Sequence, residues 1–299
     1  MDIRLLKYYA AVARCGSISK AAEQLHITQP TLSRQLKELE DTLQVTLLNR
    51  ERKQLTLTDE GVLFLQRARE IIALEERTLR EVKEKRGQLT GTIGIGCVET
   101  NAALLLTELV EAFFRENPAV KFEFYNANSS DIKEKLDQGS LDLGILLEPV
   151  EGAKYDYLRL PCRETWGVIM PEAHPLAAKE ALTTADIQGL PLCVPRRTIV
   201  IEEIAHWLGV PLESLNIVAA HNLLTNILLL VRHGFCCSII AKGAYEIRPI
   251  DGLVFRPFTP LRTTGHLLIH GKNRILPRTV AGFLAFVQDY LAKEKPAIL

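Results

Sequence analysis

A run of side chains able to hydrogen-bond the edges of nucleic-acid bases lies between residues 29 and 37. Apolar spacing near 3.6 residues predicts a helix from about Gln29 to Leu43, with Leu32, Leu36, Leu39 and Leu43 facing inward. Thr28 stands as its N-cap, and Pro30 falls in the first turn, where a missing N–H costs nothing. Gln29, Thr31, Ser33, Arg34, Gln35 and Lys37 then point outward. Arginine suits bidentate pairing with guanine, glutamine pairs with adenine, and hydroxyls reach bases or phosphates. A second basic cluster, Arg50, Arg52 and Lys53, follows between two apolar runs. A polar helix face alone equally fits the solvated side of a small bundle. The short turn before it and the basic segment after it favour DNA.

Other chemistries lack their residues. The six cysteines (Cys15, Cys97, Cys162, Cys193, Cys236 and Cys237) form no CxxC pair and have no histidine at zinc spacing. Cys236 and Cys237 lie in an apolar stretch that suits buried, reduced thiols. Gly94-Ile-Gly96-Cys-Val-Glu99 lacks the third glycine of a dinucleotide fingerprint, and no G-x-S-x-G elbow occurs. No enzyme, cofactor or metal site is expected. A nonspecific architectural DNA binder would carry strong positive charge, whereas this chain has 36 basic and 36 acidic residues. Residues 1–90 hold 16 Lys+Arg against 13 Asp+Glu, a slight basic bias at one end.

The positioning elements read as follows. Leu5, Leu6, Tyr9 and Val12–Ala13 mark a first helix ended by Gly16, and Ser17 or Ser19 caps a short second helix through Leu25. The small Ala21 and Ala22 allow close approach to the third helix across the His26–Ile27 turn. Strand, basic turn and strand through Leu57 make a small β-wing. A long helix from residue 59 to Arg86 has apolar Val62, Leu65, Ala68, Ile72, Leu79 and Val82 at steps of three and four, broken by Glu75. So narrow a stripe with no evident neighbour in its own chain predicts pairing with a second copy through Val62, Leu65, Ile72 and Leu79. From residue 91, strands at 92–97, 120–125 and 141–147 alternate with amphipathic helices. The alternation resumes from Leu190, which predicts a parallel, doubly wound sheet in two lobes. The expected domains are 1–58, 59–90 and 91–299, with one lobe from about 91–161 and 266–299 and the other from about 162–265.

Ligands of open α/β lobes sit beyond strand C-termini, where helix N-termini offer free N–H groups. The residues there are Thr100 and Asn101, Ser129 and Ser130, then Arg196, Arg197 and Thr198, and finally Asn222, Thr225 and Asn226. Ser130 and Asn222 serve equally well as plain helix caps, and Arg196–Arg197 as a solvated pair. As a set they predict a polar cleft for an effector that is small and at least partly anionic.

Ser17–Glu40, Leu47-Leu48-Asn49-Arg50 and Leu57-Thr58-Asp59-Glu60-Gly61 resemble the LysR-type transcriptional regulators, and the resemblance spans essentially the whole chain. It implies an N-terminal all-α winged helix-turn-helix with a long linker helix, and a C-terminal α/β two-lobed domain like periplasmic binding proteins. It implies DNA contacts from Gln29, Pro30, Thr31, Ser33 and Arg34, with Arg50 and Lys53 from or beside the wing. Effector contacts would come from Thr100, Asn101, Ser129, Ser130, Arg196, Arg197, Thr198 and Thr225, or near them. Promoter DNA, a second copy in a dimer or a tetramer of two dimers, and RNA polymerase would be the partners, in the cytoplasm. Three departures stand out: Gln44 replaces the family's usual Gly after the third helix, Leu48 replaces Phe, and Gly234–Ala241 lacks a terminal Pro and carries bulkier residues. The second reading is a regulator of the same architecture that senses oxidation through cysteine.

Overall fold

The computed structural model describes residues 2–49, 55–83, 89–150, 153–272 and 274–293, with the backbone alone at 76, 77 and 80–83. The chain divides into two compact units, Met1–Lys83 and Glu84–Leu299.

In the first unit, helices α1 (Ile3–Cys15), α2 (Ile18–Gln24) and α3 (Gln29–Leu43) precede strands β1 (Leu48–Asn49) and β2 (Thr56–Leu57) and helix α4 (Asp59–Lys83). Asp2, Ser17 and Thr28 each cap a helix with a side-chain oxygen, and Gly16 closes α1 in the left-handed conformation. Leu32, Leu36 and Leu39 of α3 are sealed against Tyr9, Val12, Ala21 and Ala22. Gln44 ends α3 at φ 56°, the left-handed cap that its replacement of glycine implied, and it bonds back to the Asp41 carbonyl at 2.8 Å. β1 and β2 pair antiparallel. The Glu40 carboxylate accepts the N–H groups of Leu47 and Leu48 at 2.8 and 3.0 Å, so the end of α3 sets where the wing begins.

The long helix has a neighbour in its own chain, which corrects the premise of the sequence reading. α4 packs along α1. Ala68 is sealed, Phe64 and Leu65 pack into the N-terminal core, and the Tyr9 ring meets Phe64 edge-on at 5.1 Å. At Gly61 a Cβ would lie 2.1 Å from the Leu47 carbonyl oxygen, so only glycine permits this approach. The Glu75 that interrupts the stripe forms an ion pair with Lys7 of α1 at 2.6 Å. Leu65 therefore serves the intrachain face. The large apolar residues left uncovered are Val62, Leu63, Ile71, Leu74 and Leu79, and a helical projection places Leu63 and Leu74 together on the side away from Ala68, with Ile71 between that pair and Ala68.

The second unit contains β3 (Gly91–Cys97), α5 (Ala102–Glu116), β4 (Val120–Asn126), α6 (Ser129–Gln138), β5 (Leu143–Leu147), β6 (Tyr155–Pro171) and α7 (Thr184–Ile187). There follow β7 (Leu192–Pro195), α8 (Thr198–Leu208), β8 (Ile217–His221), α9 (Thr225–Arg232), β9 (Cys237–Ala241) and α10 (Lys242–Glu246). The unit ends with β10 (Leu253–Pro257), β11 (Thr263–Gly271) and α11 (Arg278–Lys293). The strand order is β4-β3-β5-β11-β6-β9-β7-β8, with β10 added on β6. Pairs β3–β4, β3–β5, β7–β8 and β7–β9 are parallel, as the alternation predicts. The sheet as a whole is mixed, because β6 and β11 run antiparallel to each other and to their neighbours. β6 runs from one lobe into the other, pairing with β11 over its first part and with β9 and β10 over its second. Each lobe keeps its own apolar core, around Ile95, Leu109 and Phe283 in one and around Val168, Leu192 and Ile204 in the other. Among the described residues, no helix is long and apolar enough to cross a membrane.

Candidate functional site

Two surfaces carry the residues singled out by sequence. The first is the outer face of α3. Because Leu32, Leu36 and Leu39 are buried, the helical period sets Arg34 opposite them, with Pro30 and Lys37 beside it. Gln29, Pro30, Thr31, Arg34 and Lys37 are exposed, while Ser33 and Gln35 are half-buried. Arg34 is 3.8 Å from Glu38, and Gln35 donates to the same carboxylate at 2.8 Å. Glu38 and Asp41 share this face, so the acid-free N-terminal half of the helix is the part suited to approach phosphates. Arg50, Arg52 and Lys53 of the wing lie outside the described residues.

The second surface is a cleft in the second unit, walled by residues of both lobes at the ends of β3, β7 and β8. An inner cavity of about 110 Å³ is lined by apolar Val98, Leu147, Trp166, Val200, Leu224 and Ile240, with Thr100, Ser129, Arg197 and His221 among its polar walls. An outer cavity of about 470 Å³ is lined by Ser130, Asp131, Arg196, Thr198 and others. Asn128, Pro195, Arg197, His221 and Asn222 line both. Thr100, Ser129, Ser130, Arg196, Arg197 and Thr198 thus converge as the strand-end rule predicts. The N-terminus of α8 has no side-chain cap, whereas α6 is capped by Asn128, which accepts from Ser130 and Asp131 N–H. Two carboxylates also reach the walls. Glu99 pairs with Arg248 at 2.9 Å, and Asp131 accepts from Asn128 at 2.7 Å.

Asn101 and Thr225 line neither cavity. The Asn101 N–H goes to Glu164 at 2.8 Å and its amide group donates to the Arg163 carbonyl, so this residue braces the lobe junction instead. Thr225 accepts from Arg248 at 3.4 Å. Sequence reasoning missed Asn128, Trp166 and His221. Asn128 is the cap of α6, a signal read two residues too late at Ser130. His221 ends β8, two residues beyond the strand expected there. Trp166 lies in β6, to which no element had been assigned.

Below the inner cavity sits a buried polar group. The Thr100 hydroxyl is 2.8 Å from His266 Nε2, and His266 Nδ1 is 3.1 Å from the Cys162 carbonyl oxygen and 3.4 Å from Cys162 Sγ. The fully buried Glu164 accepts the N–H of Asn101 from one lobe and that of Gly243 from the other, each at 2.8 Å. A Cβ on Gly243 would fall 2.3 Å from that carboxylate. Burial raises the Glu164 pKa, against the pull of the two N–H donors. Burial lowers His266 to about 4, so the 3.9 Å approach of His266 to Glu164 is not an ion pair. His221 is likewise lowered to about 4 by burial, and neither of its ring nitrogens has an aligned hydrogen-bond partner.

All six cysteines are free thiols, five of them buried. Burial pushes Cys97 up to about 12, and Cys162, Cys193 and Cys237 to about 11. A buried thiol held in its protonated form is a poor nucleophile and a poor redox sensor.

Comparison with known proteins joins the two surfaces. Residues 3–62 match the bacterial regulatory helix-turn-helix of the lysR family, and residues 86–292 match the LysR substrate binding domain. The chain belongs to the LysR family of transcriptional regulators. As a LysR-type protein it is a DNA-binding regulator with an effector-binding domain, not an enzyme. The Hca operon transcriptional activator HcaR of Escherichia coli is 31% identical over 304 residues, 98% of this chain and 99% of that one. The DNA-binding transcriptional dual regulator OxyR of Escherichia coli is 30% identical over 285 residues, 88% and 92% of the two chains. The LysR fold extends along the whole chain: full-length CbnR in complex with its target DNA superposes with a TM-score of 0.76 at 24% identity, covering 97% and 99%.

The two histidines make stability depend on pH. Their folded-state pKa values lie below 6.5, so the unfolded chain binds more protons between 6.5 and about 4. Stability is full above 6.5 and is lost as pH falls through this window, by on the order of 3 kcal/mol for each residue at its limit. Glu164, shifted upward, works in the opposite sense and offsets part of the loss. Denaturant titrations at pH 7.0, 5.5 and 4.5 should show a falling unfolding free energy. A flat profile would mean that the histidines are not held neutral.

Proposed function

We propose that this regulator reads promoter DNA with the N-terminal half of α3 and adjusts that binding through a small anionic effector held between its two lobes. The placement of Arg34 opposite the buried leucine row carries the first part, since it projects away from the core in the half of α3 that holds no acid. Gln29, Pro30, Thr31 and Ser33 flank it, and Arg50 and Lys53 of the wing are assigned to the neighbouring backbone. On meeting DNA, Arg34 and Gln35 exchange Glu38 for base edges or phosphates. RNA polymerase at the promoter is the partner on which such a regulator acts.

Arg197 supports the second part. It lies where the inner and outer cavities meet, beside Arg196, Thr198 and the uncapped start of α8. Helix N-termini and arginines both favour carboxylates or phosphates, and the Glu99 carboxylate at the cavity wall is paired with Arg248. Oxidation sensing through cysteine has less support, because the buried thiols are held protonated.

The exposed Leu63 and Leu74 of α4, flanked by Ile71, form an apolar strip on a helix whose other side is already packed. A second copy of the chain covering this strip through its own α4 gives a self-complementary, two-fold contact.

Three measurements test these readings. Arg34→Ala should lose specific protection of its own promoter region, by roughly 1–3 kcal/mol per site, with the fold retained. An unchanged footprint at equal salt would remove this face from recognition. Leu63→Glu with Leu74→Glu should shift a dimer to monomer in sedimentation, whereas a monomeric parent protein would end the pairing reading. Organic acids should raise the melting temperature of the wild type more than that of Arg197→Ala. If only neutral compounds stabilise the protein, or if the variant responds to acids equally, Arg197 does not hold an anion.

A further inference from the structure

We infer that the inner cavity selects an effector carrying a hydrogen-bond donor, a hydroxyl or an amine, on the end that enters it, because the Thr100 hydroxyl can only accept there. The inference rests on the reading of the cleft as an anion site and specifies the other end of the ligand. It follows from where three protons must lie. The Cys162 carbonyl, 3.1 Å from His266 Nδ1, has no proton to give, and the Cys162 thiol 3.4 Å away is a much weaker donor than an imidazole N–H, so Nδ1 carries the ring hydrogen and gives it to the carbonyl. Burial keeps the ring neutral, with a pKa near 4, so it holds one hydrogen and Nε2 is a bare lone pair. The Thr100 hydroxyl, 2.8 Å from that lone pair, must donate its only proton to it. All that the Thr100 hydroxyl can offer a ligand in the cavity this residue lines is therefore oxygen lone pairs.

Thr100 had been grouped with the residues that would hold an anion. An acceptor repels a carboxylate, so the two polar ends of the cleft ask for different groups. Arg197 and the α8 terminus take the acidic group, and Thr100 takes a donor. Between them the walls are apolar, with Val98, Leu147, Trp166 and Ile240. A cavity of about 110 Å³ is smaller than the roughly 150 Å³ apolar cavity known to accept benzene. It suits a short aliphatic chain or the edge of a ring whose remainder extends into the outer cavity. The chemical class is a small hydroxy- or amino-substituted carboxylic acid, its acid outward and its donor inward. An ether or ketone at the same place would set acceptor against acceptor, which is a basis for discrimination.

Matched probes decide the matter on the full-length protein. Calorimetry would compare benzoate with its hydroxy and methoxy derivatives at each ring position, and butyrate with 3-hydroxybutyrate and 3-methoxybutyrate. At least one hydroxy acid should bind fivefold or more tighter than both its methoxy and its unsubstituted partners. That preference should vanish in Thr100→Val and return in Thr100→Ser, while Arg197→Ala should weaken all the acids alike. If methoxy acids bind as well as hydroxy acids, or if the preference survives Thr100→Val, the polarity assigned to Thr100 is wrong and the anion site stands. If no acid binds the wild type at all, the anion reading of the cleft fails and this inference fails with it.

Discussion

One carboxylate accepts a hydrogen bond from each lobe, and the geometry of the cleft depends on it. Glu164 is fully buried in β6, and its two oxygens take the N–H of Asn101 at the start of α5 and the N–H of Gly243 at the start of α10. Burying an acid without partners is costly, and here the partners are backbone groups that could not otherwise be satisfied at helix starts. The carboxylate thus brings together the segments that contribute Thr100, Ala241 and Ala244 to the cavity wall. Gly243 is part of the same constraint, since any side chain there would displace the acid.

In the N-terminal unit a comparable task falls to Tyr9, Gly61 and Glu40. Tyr9 is sealed from solvent, and its hydroxyl donates to the Gly61 carbonyl at 3.0 Å. Glu40 fixes the strand that leads into the wing. These contacts tie α3, the strands β1 and β2 and the long helix into one body, so that the orientation of α3 is set by packing at its back rather than by anything on its outer face.

Much of this could be read from residue order. Caps at Ser17 and Thr28, the glycine at 16 and the leucine period of α3 are local signals, and local geometry follows them. β6 escaped because its residues obey no single period. Pro161 sits where the β6–β11 register shifts, the inward face changes as the strand passes between lobes, and Arg159, Arg163 and Glu164 read as surface charge. Glu164 is buried only because two N–H donors from distant segments converge on it, which no linear pattern announces. The same holds for the long helix. Its apolar stripe is visible in the sequence, but whether Leu65 meets α1 or another chain depends on the position of Tyr9, fifty-six residues earlier. The strand-end rule found the cleft, yet it could not tell a donor from an acceptor at Thr100, because that distinction belongs to His266 and Cys162.

The continuity of β6 has a mechanical consequence. A chain that crosses between lobes through loops can bend at soft dihedrals, and its lobes then swing through wide angles. Here the crossing is a seventeen-residue strand paired with β11 along most of its length. Movement of one lobe against the other must twist a two-stranded ribbon whose hydrogen bonds stay made. Such a ribbon behaves as a torsion spring: stiff in bending, compliant in twist, and returning to rest when released. A signal passed from this cleft to the rest of the protein therefore travels as a small rotation under restoring torque, not as the closing of a jaw.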